Sequence, residues 1–196
     1  MKKIFETLIE SFTEHNVGIA ENFLGEHLAI QLKENLILLN VGKVLKSAGT
    51  GNEENVHQDT LVRNDKIYWL DKSHNDPYEN EFFILMDVFI RYLNETCYTG
   101  ITGYEFHYAW YEKGSFYKRH FDRFRNDDSR QFSMITYLNS DWNDGDGGEL
   151  CIHHTDRVQL IAPTNGKSVF FDSSELEHEV LITNVPRLSI TGWLKR

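Results

Sequence analysis

From residue 104 to residue 194, short segments rich in β-branched and aromatic residues follow one another, with turn residues between them. They fall at about 104–111, 116–122, 131–139, 148–154, 157–162, 167–172, 178–183 and 187–194. The sharpest break is Asp141-Trp-Asn-Asp-Gly-Asp-Gly-Gly148, a run of turn formers. Eight strands at this spacing predict a mainly β fold, a double-sheet jelly roll of the cupin-like, double-stranded β-helix kind. Ahead of it the apolar period changes. Ile4, Phe5, Leu8, Ile9 and Phe12 recur at helical spacing over 3–15. Leu28, Leu32, Leu36 and Leu39 do so over 25–40, and Phe82, Leu85, Met86, Phe89 and Leu93 over 80–95. These three helices are expected to cover one sheet, with short strands at 18–20 and 65–70. Residues 1–196 read as one domain, with helical support and a lid loop over 1–100 and the jelly-roll core over 101–196. A chain of this length buries roughly 70% of its unfolded surface.

The segment ending at His120-Phe-Asp122 carries the chemistry. Side chains two apart on a strand share a face, so His120 and Asp122 can present an imidazole and a carboxylate to one point. Three further His-x-Asp triplets occur, at His57, His74 and His154. The first two lie in polar, turn-like sequence and the third at a hairpin turn, where a rigid site is harder to hold. His178, opening the seventh segment, is the best third ligand. Together these residues make the 2-His-1-carboxylate facial triad that holds non-haem Fe(II) with open positions. Nine residues on, Arg187 opens the last strand and shares a face with Ser189, Thr191 and Trp193. An arginine among inward-facing residues needs an anionic partner, and its planar guanidinium suits a carboxylate.

The joint pattern of His120-x-Asp122, His178 and Arg187 resembles the 2-oxoglutarate/Fe(II) dioxygenases. Tyr111-x-x-Gly114-x-x-Tyr117-x-x-His120-x-Asp122 is similar to their prolyl 4-hydroxylase branch, in particular the hypoxia-sensing prolyl hydroxylases and their bacterial relatives. Arg63-Asn-Asp-Lys-Ile-Tyr-Trp69, Tyr137-Leu-Asn-Ser-Asp-Trp142 and Gly147-Gly-Glu-Leu150 add to the likeness. The resemblance implies a hydroxylase of prolyl residues in a protein or peptide, using Fe(II), 2-oxoglutarate and O2, releasing succinate and CO2, and stimulated by ascorbate. It implies that Arg187 and Tyr137 anchor the far carboxylate of 2-oxoglutarate, that Tyr111 and Thr191 line the co-substrate pocket, and that Tyr117, Trp193 and Arg130 meet the substrate. The stretch from Tyr111 to His120 departs from the animal enzymes in being slightly shorter and poorer in glycine. Residues 47–59, small, polar and glycine-bearing, correspond to a substrate lid in that family, against a plain hairpin tip. His107, His153 and His154 read as structural or surface histidines.

Composition bounds the partners. A net charge of −10 disfavours nucleic acid, whose phosphates it would repel. Cys97 and Cys151 make no disulfide framework and fit a reducing cytoplasm. Glu6 and Glu10 interrupt the N-terminal apolar pattern, so no signal peptide is expected there. No apolar run reaches the roughly 18 residues of a membrane span. Three readings compete: a nucleic-acid demethylase of the AlkB type, a small-molecule hydroxylase on the same scaffold, and a non-catalytic metal-binding cupin-like module. The last has no need of Arg187.

Overall fold

The computed structural model describes residues 2–49, 60–123 and 129–196. Helices α1 (Lys2–His15), α2 (Glu26–Val41) and α3 (Pro77–Cys97) come early, with strands β1 (Val17–Ala20), β2 (Lys46–Ser47) and β3 (Lys66–Trp69) among them. Eight strands follow: β4 (Gly103–Tyr111), β5 (Tyr117–His120), β6 (Arg130–Tyr137), β7 (Leu150–His153), β8 (Val158–Ile161), β9 (Ser168–Asp172), β10 (Glu177–Val180) and β11 (Arg187–Lys195). The segments expected from the pattern all form. The proposed lid at 47–59 lies mostly outside the described residues, and its first residue, Ser47, ends β2.

Two antiparallel sheets face each other. The larger runs β1-β9-β6-β11-β4-β3-β2 and the smaller β5-β10-β7-β8. This is the jelly roll that the strand spacing predicts. The helices cover the outer face of the larger sheet. Phe5, Phe23, Phe89 and Phe170 meet there with ring centroids 5.0–5.9 Å apart, within the range where aromatic pairs attract beyond their buried area. Between the sheets, Ile135, Leu150, Ile152, Val169 and Phe171 form the second core. Helix α3 starts earlier than its apolar stripe suggests. Asp76 accepts hydrogen bonds from the backbone N–H groups of Tyr78 and Glu79, and Pro77 takes the first helical position, an N-cap signal that period alone does not carry.

Strand β11 lies between β4 and β6 in the larger sheet. Its register sets Arg187 opposite Tyr111, Thr191 opposite His107 and Ile135, and Ser189 opposite Tyr137. In the smaller sheet β10 pairs with β5 so that His178 stands directly opposite His120. The two registers aim both sets of side chains into the gap between the sheets.

Candidate active site

His120, Asp122 and His178 converge. One donor atom from each lies within 4.8 Å of the others. The Nε2 atoms of His120 and His178 stand 3.5 Å from the two Asp122 oxygens, one imidazole on each. Asp122 is not on the strand that alternation would give it. Strand β5 ends at His120, and Asp122 lies in the bend that follows, while Phe121 between them faces solvent. The carboxylate therefore reaches the site by a turn off the sheet rather than by strand geometry.

Further contacts orient the trio. The Nδ1 atoms of His120 and His178 lie 2.7 and 3.1 Å from the carbonyl oxygens of Lys118 and Leu176. Each carbonyl can only accept, so Nδ1 carries the proton and Nε2 presents its lone pair. The Ser133 hydroxyl donates to Asp122 at 2.7 Å and lies 2.9 Å from the Ser173 hydroxyl. Burial alone would raise the Asp122 carboxyl. The imidazoles of His178 and His120 and the Ser133 hydroxyl outweigh it and hold the group well below the usual carboxylate range. Burial pushes His178 down, against the pull of Asp122. At neutral pH the site thus holds an ionised carboxylate and a neutral His178, the states that ligate a divalent cation. Two imidazoles and one carboxylate are also the donor set of a non-haem iron site.

The trio lines one side of a small pocket, partly open to solvent, whose other walls include Tyr111, Arg187, Thr191, Trp193, Tyr117 and Arg63. Arg187 is 2% exposed. Its Nε donates to the Gly148 carbonyl at 2.8 Å, and its guanidinium lies 4.9 Å from the centroids of both Tyr111 and Tyr137. Gly148 sits at φ +75°, and a Cβ there would come 3.0 Å from the Arg187 side chain, so the approach needs glycine. Arg187 Nη2 and the Tyr137 hydroxyl are buried without a hydrogen-bond partner among the described residues. A buried cationic nitrogen and a neighbouring hydroxyl left open fit one end of a dicarboxylate such as 2-oxoglutarate. Burial pushes the Tyr111 and Tyr137 hydroxyls up, so both remain donors.

Tyr117 stacks on His120 with centroids 3.6 Å apart. Arg130 stands beside the pocket, its guanidinium 3.4 Å over the Trp193 ring, 3.3 Å from the Asp122 carbonyl oxygen and paired with Glu105 at 2.8 Å. Two pocket residues have no signal in strand period alone. Arg63 forms a two-pronged ion pair with buried Asp65, at 2.8 and 2.7 Å, and lies 4.1 Å over the Tyr117 ring. His107, expected to be structural or superficial, lines the pocket beside Trp69 and Trp193. The motif around Arg63 could have signalled the first; the second depends on pairing between β4 and β11. Two other His-x-Asp triplets are structural. Asp76 is a helix cap, with His74 Nδ1 2.9 Å from Glu79, and His154 begins the β7–β8 turn. The triplet at His57 lies outside the described residues.

The profile of the 2OG-Fe(II) oxygenase superfamily matches residues 106–195. A prolyl-4-hydroxylase from Pseudomonas putida is 31% identical, with a TM-score of 0.87 and 98% of each chain covered. The chain belongs to the 2OG-Fe(II) oxygenase superfamily. The human protein Egl nine homolog 1 is 26% identical over 98% of this chain and 47% of its own length, so the chain spans about half of that relative. A prolyl hydroxylase from Trichoplax adhaerens, solved with a peptide fragment of the hypoxia inducible factor oxygen degradation domain, shares the fold at 24% identity. Its TM-score is 0.81, with 99% of this chain and 90% of that one covered. Iron(II), 2-oxoglutarate and O2 are the reactants this superfamily implies.

Proposed function

We propose that this chain is an Fe(II)- and 2-oxoglutarate-dependent dioxygenase that hydroxylates a prolyl residue of a protein or peptide. The observation that carries the reading is Arg187, buried between Tyr111 and Tyr137 with one nitrogen open, beside the convergent His120, Asp122 and His178. His120, Asp122 and His178 would hold the iron, and Arg187 with Tyr137 the far carboxylate of 2-oxoglutarate, Tyr111 and Thr191 lining that end. Bound iron with 2-oxoglutarate and O2 supplies the oxidant for an unactivated C–H bond, the co-substrate leaving as succinate and CO2.

The protein's own part is to orient and exclude water. Ser133 and the two backbone carbonyls fix the donor directions. Arg187 fixes the depth of the co-substrate, so its other end faces the ligand trio. Tyr117 from the smaller sheet and Trp193 from the larger, both lining the pocket, would form the aromatic walls for a prolyl ring. Arg130, over the Trp193 ring, would meet the substrate beside them. The peptide fragment held by the Trichoplax prolyl hydroxylase supports a peptide substrate. The acidic charge of the chain favours a basic or neutral segment around the target proline.

The test is succinate release and a +16 mass shift on proline after incubation with Fe(II), 2-oxoglutarate, O2 and a library of proline-bearing peptides. Succinate without peptide oxidation in any sequence would favour a small-molecule substrate. No 2-oxoglutarate turnover under any condition would overturn the enzyme reading.

A further inference from the structure

A second cluster of ligating side chains lies on the outer face of the smaller sheet, away from the pocket. On β7, Cys151 and His153 are two apart and share that face. On β10, Glu179 is the cross-strand partner of Cys151. Their inward neighbours Leu150, Ile152 and Val180 are buried, the first two in the core between the sheets. His153 Nε2 lies 2.8 Å from Glu179 Oε1 and 3.6 Å from Cys151 Sγ. One donor atom from each of the three residues lies within 4.8 Å of the others.

We propose that Cys151, His153 and Glu179 form a second metal site, for a borderline divalent ion of the zinc type. The donor set argues for it. One thiol, one imidazole and one carboxylate are three zinc ligands, and the usual bond lengths of about 2.0–2.3 Å put donors in a tetrahedron roughly 3.3–3.6 Å apart. The sulfur–nitrogen separation already fits. The nitrogen–oxygen pair must open by about half an ångström, which a partly exposed glutamate allows. A sulfur donor favours zinc over the harder ions, whereas the inner trio has only nitrogen and oxygen. Burial and the nearby Glu179 push the Cys151 thiol up, which makes it a poor free nucleophile. Glu177, the other outward carboxylate of β10, is paired with Arg119 and leaves Glu179 to the cluster. The His153 and Glu179 side chains are 15% and 29% exposed, so an ion reaches the cluster from solvent and keeps water in its fourth position. An ion there would tie β7 to β10, the strand that carries His178 on its opposite face.

The experiment uses Co(II), whose thiolate complexes give a sulfur-to-metal charge-transfer band that nitrogen and oxygen ligands lack. The intact protein should take up about two equivalents, one of them with this band. Asp122→Ala should lose one equivalent and keep the band. Cys151→Ser and Glu179→Gln should each lose the other equivalent, and Cys151→Ser the band with it. Cys97→Ser, a change at the exposed second thiol, should alter nothing. Uptake of a single equivalent without the band would overturn the proposal, as would a band that survives Cys151→Ser. Circular dichroism of each variant confirms folding, and zinc competing out the band gives the affinity of the natural ion.

Discussion

Replacing Arg187 by alanine should weaken 2-oxoglutarate binding strongly with little effect on the fold. The guanidinium is 2% exposed and makes one hydrogen bond, to Gly148, while Nη2 has no partner among the described residues. Without ligand the residue is close to a buried unpaired charge, which is costly. Alanine removes that cost but strands the Gly148 carbonyl, a loss of about 1–3 kcal/mol, so the two effects offset in the free protein. With ligand the balance changes. Truncating one partner of a buried, hydrogen-bonded charge pair costs about 2–5 kcal/mol. At about 1.4 kcal/mol per tenfold, the Kd should rise roughly 30-fold to several thousand-fold. Arg187→Lys keeps the charge but not the planar fork, and should fall between the two. Titration calorimetry on the Mn(II) form without oxygen reads the affinity, and thermal melts with and without ligand read the stability. An unchanged Kd in Arg187→Ala would show that the anchor lies elsewhere.

Three further outcomes follow from the geometry. Ser133→Ala removes the hydroxyl that donates to Asp122 and should weaken metal binding about 10–100-fold, measured by chelator competition; unchanged affinity would show that Asp122 needs no such support. His107 is pushed by burial from the ordinary 6.5 down to about 3. Between those values the unfolded chain holds the extra proton, so stability falls as pH falls through that window, by up to about 1.4 kcal/mol per unit. His107→Leu should flatten urea-unfolding stability there, and an identical pH slope in the two proteins would contradict it. Gly192→Ala would set a Cβ 2.2 Å from the Glu105 carbonyl oxygen and 2.3 Å from the Phe106 ring. Overpacking of this kind costs about 1–3 kcal/mol and lowers Tm by about 2–4 °C for each kcal/mol; a melt at the native temperature would show that β4 and β11 can move apart freely.

The sequence by itself determined the jelly roll, the three helices, and the candidate ligands His120, Asp122 and His178 with Arg187. Strand period decides which side chains share a face, so Arg187, Thr191 and Trp193 were legible as neighbours before any pairing was known. Local context separated His120 from three triplets of the same form, two of them in polar, turn-like sequence and one at a hairpin turn. Period does not determine register. Only the pairing of β10 with β5 sets His178 opposite His120, and only that of β11 with β4 brings His107 to the pocket. Tertiary packing also turned Asp122 off the end of its strand and set Arg130 over the Trp193 ring. The Cys151, His153 and Glu179 cluster is the plainest case, because residues 26 apart in the chain meet only through the β7–β10 ladder. Local pattern is written in neighbouring residues, whereas register is set by which long-range pairing buries both sheet faces at once.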